Sequence, residues 1–180
     1  MNTPRALVPR VDYRRLATQQ GRIEGRLDLD RLDRVAAETI DSSAGANPVV
    51  VVDLEFREDA QRRVHVEGDI STTLRLECQR CLNAFDHPMN VDVAGVVVGD
   101  DDAAANVPRE YEPVLADGDM LDVHALVADE LLLALPSVAR CNRPECTSQY
   151  VDHDMPLRDE QDDERPNNPF AVLSQLKRDD

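Results

Sequence analysis

Apolar residues recur at every second position through much of residues 49–98. Residues 49–56 begin as a run of valines and then alternate. The apolar positions that follow are Val64, Val66, Ile70, Leu74, Leu76, Phe85, Met89, Val91, Val93, Val96, Val97 and Val98. A period of two is typical of strands with one buried face. The pattern predicts an antiparallel β-meander of about three main strands plus short pieces, with Gly68 as a candidate bulge.

A helical period marks residues 121–135. The apolar positions on its predicted buried face are Val123, Leu126, Val127, Leu131, Ala134 and Leu135. Asp119 or Asp122 can cap the first turn, and Pro136 ends the helix because proline has no N–H to donate. This C-terminal amphipathic helix is predicted to pack on the meander, which gives an α+β fold class.

Composition divides the chain into three parts. Residues 1–40 are predicted to form a basic N-terminal adaptor, and residues 41–151 the α+β core domain that carries the cysteines. Residues 152–180 contain many acids and few apolar side chains, which predicts a flexible acidic tail. The tail ends in a short apolar cluster at residues 169–177, which we interpret as a docking segment.

Within the adaptor, residues 21–29 are predicted to be extended, and a helix is predicted to follow. Asp28 or Asp30 would cap this helix, which should run towards Thr39. The adaptor is thus predicted to be partly helical and partly extended.

The formal net charge of the chain is −16, and it is unevenly distributed. Residues 1–26 carry six arginines against Asp12 and Glu24, a net charge of +4, whereas residues 99–130 carry ten acids against Arg109, a net charge of −9. An acidic chain is a poor generic binder of phosphate backbones, because each such contact requires a lysine or arginine. Contact with nucleic acid is therefore expected to be local, or indirect through a basic protein.

Other classes of function lack a supporting pattern in the sequence. The N-terminus has no apolar export segment, and no apolar run approaches the roughly 18 residues of a membrane span, so we expect a cytoplasmic protein with no membrane partner. Phosphate-binding glycine loops, hydrolase elbows and zinc-protease helices are all missing from the sequence. We therefore expect a protein that is not an enzyme, with no catalytic residues and no small-molecule substrate.

The four cysteines form two close pairs, Cys78 with Cys81 and Cys141 with Cys146. Two such pairs are typical of a tetrahedral thiolate site for zinc, because each turn directs two sulfurs at one centre. If the helix packs across the meander, both pairs should meet at one end of the domain. The pattern predicts a structural zinc ion held by all four cysteines.

Two other interpretations of the cysteines remain open. The thiols can be reduced and inert, as small apolar side chains. Alternatively, Cys78 and Cys81 can form a dithiol redox couple, although such a motif usually lies at a helix N-terminus that lowers the thiol pKa, and here it ends a predicted strand.

Four blocks of the sequence together resemble a known protein family. The blocks are Leu76-Glu77-Cys78-Gln79-Arg80-Cys81, Tyr111-Glu112-Pro113, Val127-Ala128-Asp129-Glu130-Leu131-Leu132-Leu133-Ala134-Leu135-Pro136 and Asn168-Pro169-Phe170-Ala171-Val172-Leu173-Ser174-Gln175-Leu176-Lys177. Their order and approximate spacing resemble the bacterial YceD family. Some members carry histidine at the position of Cys141, and cysteine and histidine exchange readily as zinc ligands. This difference suits a metal-binding role for Cys141.

The resemblance implies a ribosome biogenesis factor without enzymatic activity, which acts in the synthesis, processing or stability of 23S rRNA of the large ribosomal subunit. We expect it to hold precursor RNA or a basic ribosomal protein. The acids of residues 99–130 suit the protein, and the N-terminal arginines suit the RNA. The alternative is a zinc-dependent thiol redox switch or metal-handling protein that is not connected with ribosomes.

Overall fold

The computed structural model describes residues 5–40 and 47–148. Its strands are β1 (Arg10–Asp12), β2 (Arg22–Asp28), β3 (Val49–Glu58), β4 (Val64–Glu77), β5 (Ala84–Val98), β6 (Glu112–Leu115) and β7 (Met120–Asp122). Its helices are α1 (Tyr13–Thr18), α2 (Asp33–Ala36), α3 (Asp101–Ala105), α4 (Val123–Ala134) and α5 (Pro144–Ser148), with a 3₁₀ turn at Leu29–Arg31. The predicted acidic tail and docking segment, residues 152–180, lie outside the described residues.

The main sheet has five strands in the order β2-β3-β4-β5-β6. The first four are antiparallel neighbours, and β6 pairs with β5 in parallel. A separate small sheet joins β1 to β7. The predicted α+β class, with a mostly antiparallel sheet, is confirmed.

One face of the sheet is buried because the apolar side chains alternate. Along β3 the buried side chains are Val50, Val52, Leu54 and Phe56, and the intervening positions are more exposed. From α4, the side chains of Leu126, Val127 and Leu131 belong to the same apolar core. The apolar face of the sheet and the apolar face of α4 therefore form one core.

The register of β3 and β4 runs without interruption through Gly68, which pairs with Leu54. The predicted bulge is wrong. Gly68 is required for another reason: its φ of 155° is unfavourable for other residues, and an added Cβ would lie 2.0 Å from the carbonyl oxygen of Asp53. The glycine permits close approach of two strands, as glycines in strands often do.

The N-terminal segment contributes to the main sheet through β2, which pairs with β3 from Arg22 opposite Glu55 to Asp28 opposite Val49. The predicted helix towards Thr39 is wrong in extent. Leu32, with φ −116° and ψ 69°, separates the 3₁₀ turn from the single turn of α2. At this break the side chain of Leu32 is buried in the core. The domain boundaries at residues 40 and 151 remain predictions.

The helix predicted at residues 121–135 corresponds to α4. The side chain of Asp122 caps it by accepting a hydrogen bond of 3.0 Å from the N–H of Ala125, and Pro136 follows its end. Residues 5–40 and 47–148 contain no helix that is long and apolar enough to cross a membrane. The chain then continues towards the second pair of cysteines.

Candidate metal centre

The first cysteine pair lies in the connection between β4 and β5. These strands pair until Glu77 lies opposite Ala84, and two hydrogen bonds close the connection behind them. The N–H of Cys78 donates to the carbonyl of Asn83 at 3.0 Å, and the N–H of Leu82 donates to the carbonyl of Cys78 at 2.8 Å. Leu82 accommodates the tight reversal with a positive φ of 56°. The position of the pair is thus fixed by backbone bonds on both sides.

The segment after α4 is held against this connection by its backbone. The N–H of Gln79 donates to the carbonyl of Ala139 at 2.8 Å, and the N–H of Cys141 donates to the sulfur of Cys78 at 3.3 Å. The sulfurs of Cys81 and Cys141 are 3.8 Å apart. Cysteines separated by about sixty residues in sequence therefore share one site.

All four sulfurs, including that of Cys146, lie within 4.8 Å of one another. No disulfide joins these cysteines. Cys78, Cys141 and Cys146 are buried, and Cys81 is half-buried. A cluster of four sulfurs at this spacing is close enough to hold a metal ion.

Hydrogen bonding prepares the Cys78 sulfur to be an anion. Backbone N–H groups, that of Cys141 foremost and then that of Cys81, lower the pKa of this thiol from 9.0 to about 5, although burial raises it. At neutral pH the sulfur is therefore a thiolate, which is the form that binds metals. Three further sulfurs lie near this thiolate, and together the four can serve as ligands of a bound cation.

The donor set can be compared with the requirements of particular metals. Tetrahedral zinc with Zn–S distances of about 2.3 Å places its sulfurs about 3.8 Å apart. The separation of 3.8 Å between the sulfurs of Cys81 and Cys141 agrees with that value. Four cysteine sulfurs in this arrangement suit zinc or iron–sulfur chemistry, and they are unsuited to magnesium or calcium, which prefer oxygen.

A second polar cluster, at the turn between β3 and β4, was missed by sequence reasoning. Asp59 accepts hydrogen bonds from Nε2 of His65 at 3.0 Å, from Nε of Arg63 at 2.7 Å and from the backbone N–H of Gln61 at 2.9 Å. The ring of Tyr111 contacts both His65 and the Arg63 guanidinium. Burial raises the pKa of Asp59, but the hydrogen bonds lower it by more, so that the pKa lies well below its usual range.

The role of this cluster is to join the β3–β4 turn to the segment before β6. An aspartate that accepts from the N–H two residues later is a common turn signal, and it could have indicated the local bond. The contact with Tyr111, over forty residues later, has no such local signal. It gives the tyrosine of the Tyr111-Glu112-Pro113 block a structural role.

Comparison with known proteins gives one family. The family described as "Large ribosomal RNA subunit accumulation protein YceD" matches residues 66–177, which include all four cysteines. A protein of the same description from Haemophilus influenzae is 30% identical over 149 residues, which cover 82% of this chain and 83% of the relative. No solved structure gives a significant match.

Proposed function

Because the chain belongs to the YceD family, we propose that it is a cytoplasmic ribosome biogenesis factor that promotes accumulation of 23S rRNA without enzymatic activity. Family membership over more than half of the chain is the observation that carries this proposal. The protein acts on the synthesis, processing or stability of that RNA, by contact with precursor RNA or with a ribosomal protein.

Depletion in the source organism tests the proposal. Mature and precursor 23S rRNA are measured by hybridisation during depletion, with 16S rRNA as the internal control. We expect the ratio of mature 23S rRNA to 16S rRNA to fall, and a plasmid copy of the wild-type chain to restore it. Unchanged ratios at full depletion would contradict the proposal.

The arrangement of charges favours a basic ribosomal protein as the direct partner. Three of the six N-terminal arginines already face acids of the same chain. These pairs are Arg10 with Asp122 at 3.4 Å, Arg14 with Asp119 at 2.7 Å, and Arg22 with Asp53. Arginines engaged in this way are less available to phosphates.

Crosslinking in cells, followed by identification of the bound RNA and protein, tests whether the direct partner is a protein or an RNA. We expect a large-subunit ribosomal protein, and recovery of RNA alone would contradict this expectation.

The four cysteines Cys78, Cys81, Cys141 and Cys146 hold a structural zinc ion in this proposal. The spacing and burial of their sulfurs support it. When bound, zinc joins the β4–β5 connection to the segments that follow α4, and it performs no chemistry on a substrate. Structural zinc contributes directly to folding free energy.

Metal analysis tests this part. Protein purified under reducing conditions without chelator should contain about one zinc per chain by mass spectrometry. Cys81→Ser and Cys141→Ser should lose the metal, whereas Asn90→Ala, an exposed change on β5, should retain it. Wild-type protein without metal, or with iron in place of zinc, would contradict a structural zinc site.

The competing interpretation is a thiol redox switch, and the low pKa of Cys78 is compatible with it. Family membership favours the ribosomal function. The two differ in their response to mild oxidation. Structural zinc should protect the thiols from modification and from disulfide formation, whereas a switch should oxidise reversibly with a measurable reduction potential.

A further inference from the structure

An apolar groove with an acidic rim runs between the edge strand β6 and α4. Its volume is about 350 Å³. Among the side chains that line it, Leu115 is 56% exposed and Leu133 is 79% exposed. Large apolar side chains left to water beside one another are typical of a surface that binds a partner.

Four carboxylates surround this apolar floor, and only two of them have cationic neighbours. Asp122 pairs with Arg10 at 3.4 Å, and Asp129 pairs with Arg34 at 2.5 Å. Within residues 5–40 and 47–148, Glu112 and Glu130 have no ion-pair partner.

The environment of Glu130 supports the presence of uncompensated charge. Burial raises the pKa of this carboxyl, and the negative charges of Glu112 and Asp129 raise it further. Two acids on opposite walls of the groove, one from β6 and one from α4, thus repel each other. A cation placed between them would remove the repulsion.

We propose that this β6–α4 groove docks a basic segment of a protein partner, with a lysine or arginine between Glu112 and Glu130 and an apolar side chain against Leu115 and Leu133. The inference rests on the proposed function in one respect: in ribosome assembly, a partner of this chemistry is a basic ribosomal protein. The complementarity of charge and apolar surface is the recognition itself.

Other occupants fit the groove less well. RNA is repelled, because its phosphates would face four carboxylates. A second copy of the chain would bring two acidic rims together, which like-charge repulsion opposes. Addition of a strand to the open edge of β6 is hindered by Pro113, which has no N–H for a ladder hydrogen bond. Recognition therefore occurs through side chains.

Fluorescence anisotropy with the purified full-length protein tests the proposal. The probe is a labelled short peptide of lysine, arginine and leucine, with its leucines on one helical face, and the comparison probe is a labelled single-stranded RNA of similar length. We expect the peptide to bind and the RNA to bind at least about tenfold more weakly at an ionic strength of about 0.15 M. Equal or tighter binding of RNA would overturn the proposal.

Paired substitutions locate the binding surface. The double variants Glu112→Gln/Glu130→Gln and Leu115→Ala/Leu133→Ala should each weaken peptide binding by about tenfold or more. The matched control is Asp69→Asn/Asp92→Asn, which removes two exposed acids that face each other across β4 and β5, outside the groove. The control should bind as wild type does. Equal loss in control and groove variants, or no loss in the groove variants, would overturn the proposal.

Complementation separates this inference from the proposed function. If depletion lowers 23S rRNA and the groove variants restore it fully, the groove is not the functional surface and the inference fails while the function stands. If the groove variants lose peptide binding but depletion leaves 23S rRNA unchanged, the docking surface stands and the proposed function fails. Thermal unfolding of each variant, compared with wild type, identifies any variant that has lost its fold.

Discussion

Replacement of Cys78 by alanine should destabilise the protein by an amount that depends on zinc. Cys78 is fully buried, and its sulfur accepts the N–H of Cys141 at 3.3 Å. Without metal, the variant leaves that N–H without its acceptor, which costs about 1–3 kcal/mol. With free zinc at about 1,000 times its dissociation constant, the wild type gains about 4 kcal/mol more from binding. The alanine variant lacks one of four ligands and should lose most of that gain.

The assay is urea unfolding under reducing conditions, followed by circular dichroism, once with excess chelator and once with buffered zinc. Val66→Ala is the matched control, since Val66 is equally buried in β4 and its truncation should cost roughly 1–3 kcal/mol in both conditions. For Cys78→Ala, we expect the loss in zinc to exceed the loss in chelator by several kcal/mol. An equal loss in both conditions would refute the reasoning, because the sulfur would then stabilise the fold only by packing and hydrogen bonding.

Three further predictions concern stability. Gly68→Ala should lower the free energy of unfolding by urea by more than about 3 kcal/mol, because its Cβ would collide with the Asp53 carbonyl. Gly118→Ala, at φ 61° in open space, should lower it by about 1 kcal/mol. Similar losses in the two variants would contradict the steric argument. Asp59→Asn should destabilise the protein at neutral pH, and it should do so progressively less as pH falls below about 4. The reason is that a carboxyl with a depressed pKa contributes stability that is lost when the carboxyl is protonated. A loss of stability that does not depend on pH would exclude that charge effect. Glu130→Gln should raise the free energy of unfolding at pH 7 by less than about 1 kcal/mol, since burial and like charges raise the pKa of this acid. This gain in stability should vanish in acid. Destabilisation of the variant at pH 7 would contradict the prediction.

The long strands could be predicted because one face of the sheet is buried along most of their length. In β3 the sequence of buried and exposed positions follows the sequence of apolar and polar residues closely. The short elements carry too few residues for a period to appear. β1 and β7 have three residues each, and β6 has four, one of which is Pro113. The parallel pairing of β6 with β5 is a result of tertiary packing that no local pattern encodes.

Two helical segments depart from what the periodic pattern indicates, one through its cap and the other through its backbone conformation. The acidic residues 99–106 contain α3. The backbone N–H of Ala103 donates a hydrogen bond of 2.7 Å to the side chain of Asp100, which caps this helix. A cap and two acids in the first turn suffice there for a helix without a buried face. The segment after β2 has the apolar residues for a helix, yet Leu32 leaves the helical conformation.

The sequence predicts that the four cysteines come together, but it predicts only part of how they are assembled. The spacing of Cys78 and Cys81 indicates a turn that directs two sulfurs together, and the same reasoning applies to the later pair. What brings Cys141 to Cys78 is a backbone bond between Gln79 and Ala139, and backbone partners leave no trace in residue type. The depressed pKa of Cys78 depends on this contact between the two segments, because its largest cause is the hydrogen bond from the N–H of Cys141.

Charge counted along the chain does not show which charges are already paired in the folded protein. The N-terminal arginines make residues 1–26 basic in sequence, but Arg10 and Arg14 lie 112 and 105 residues from the acids that they pair with, Asp122 and Asp119. Folding therefore offsets part of the basic segment against part of the acidic one. The carboxylates that remain without a cation in the groove, among the described residues, are Glu112 and Glu130. A partner that responds to these two carboxylates should thus be cationic and should bind beside α4. The sequence alone left two partners open, a basic protein suited to the acids of residues 99–130 and an RNA suited to the N-terminal arginines.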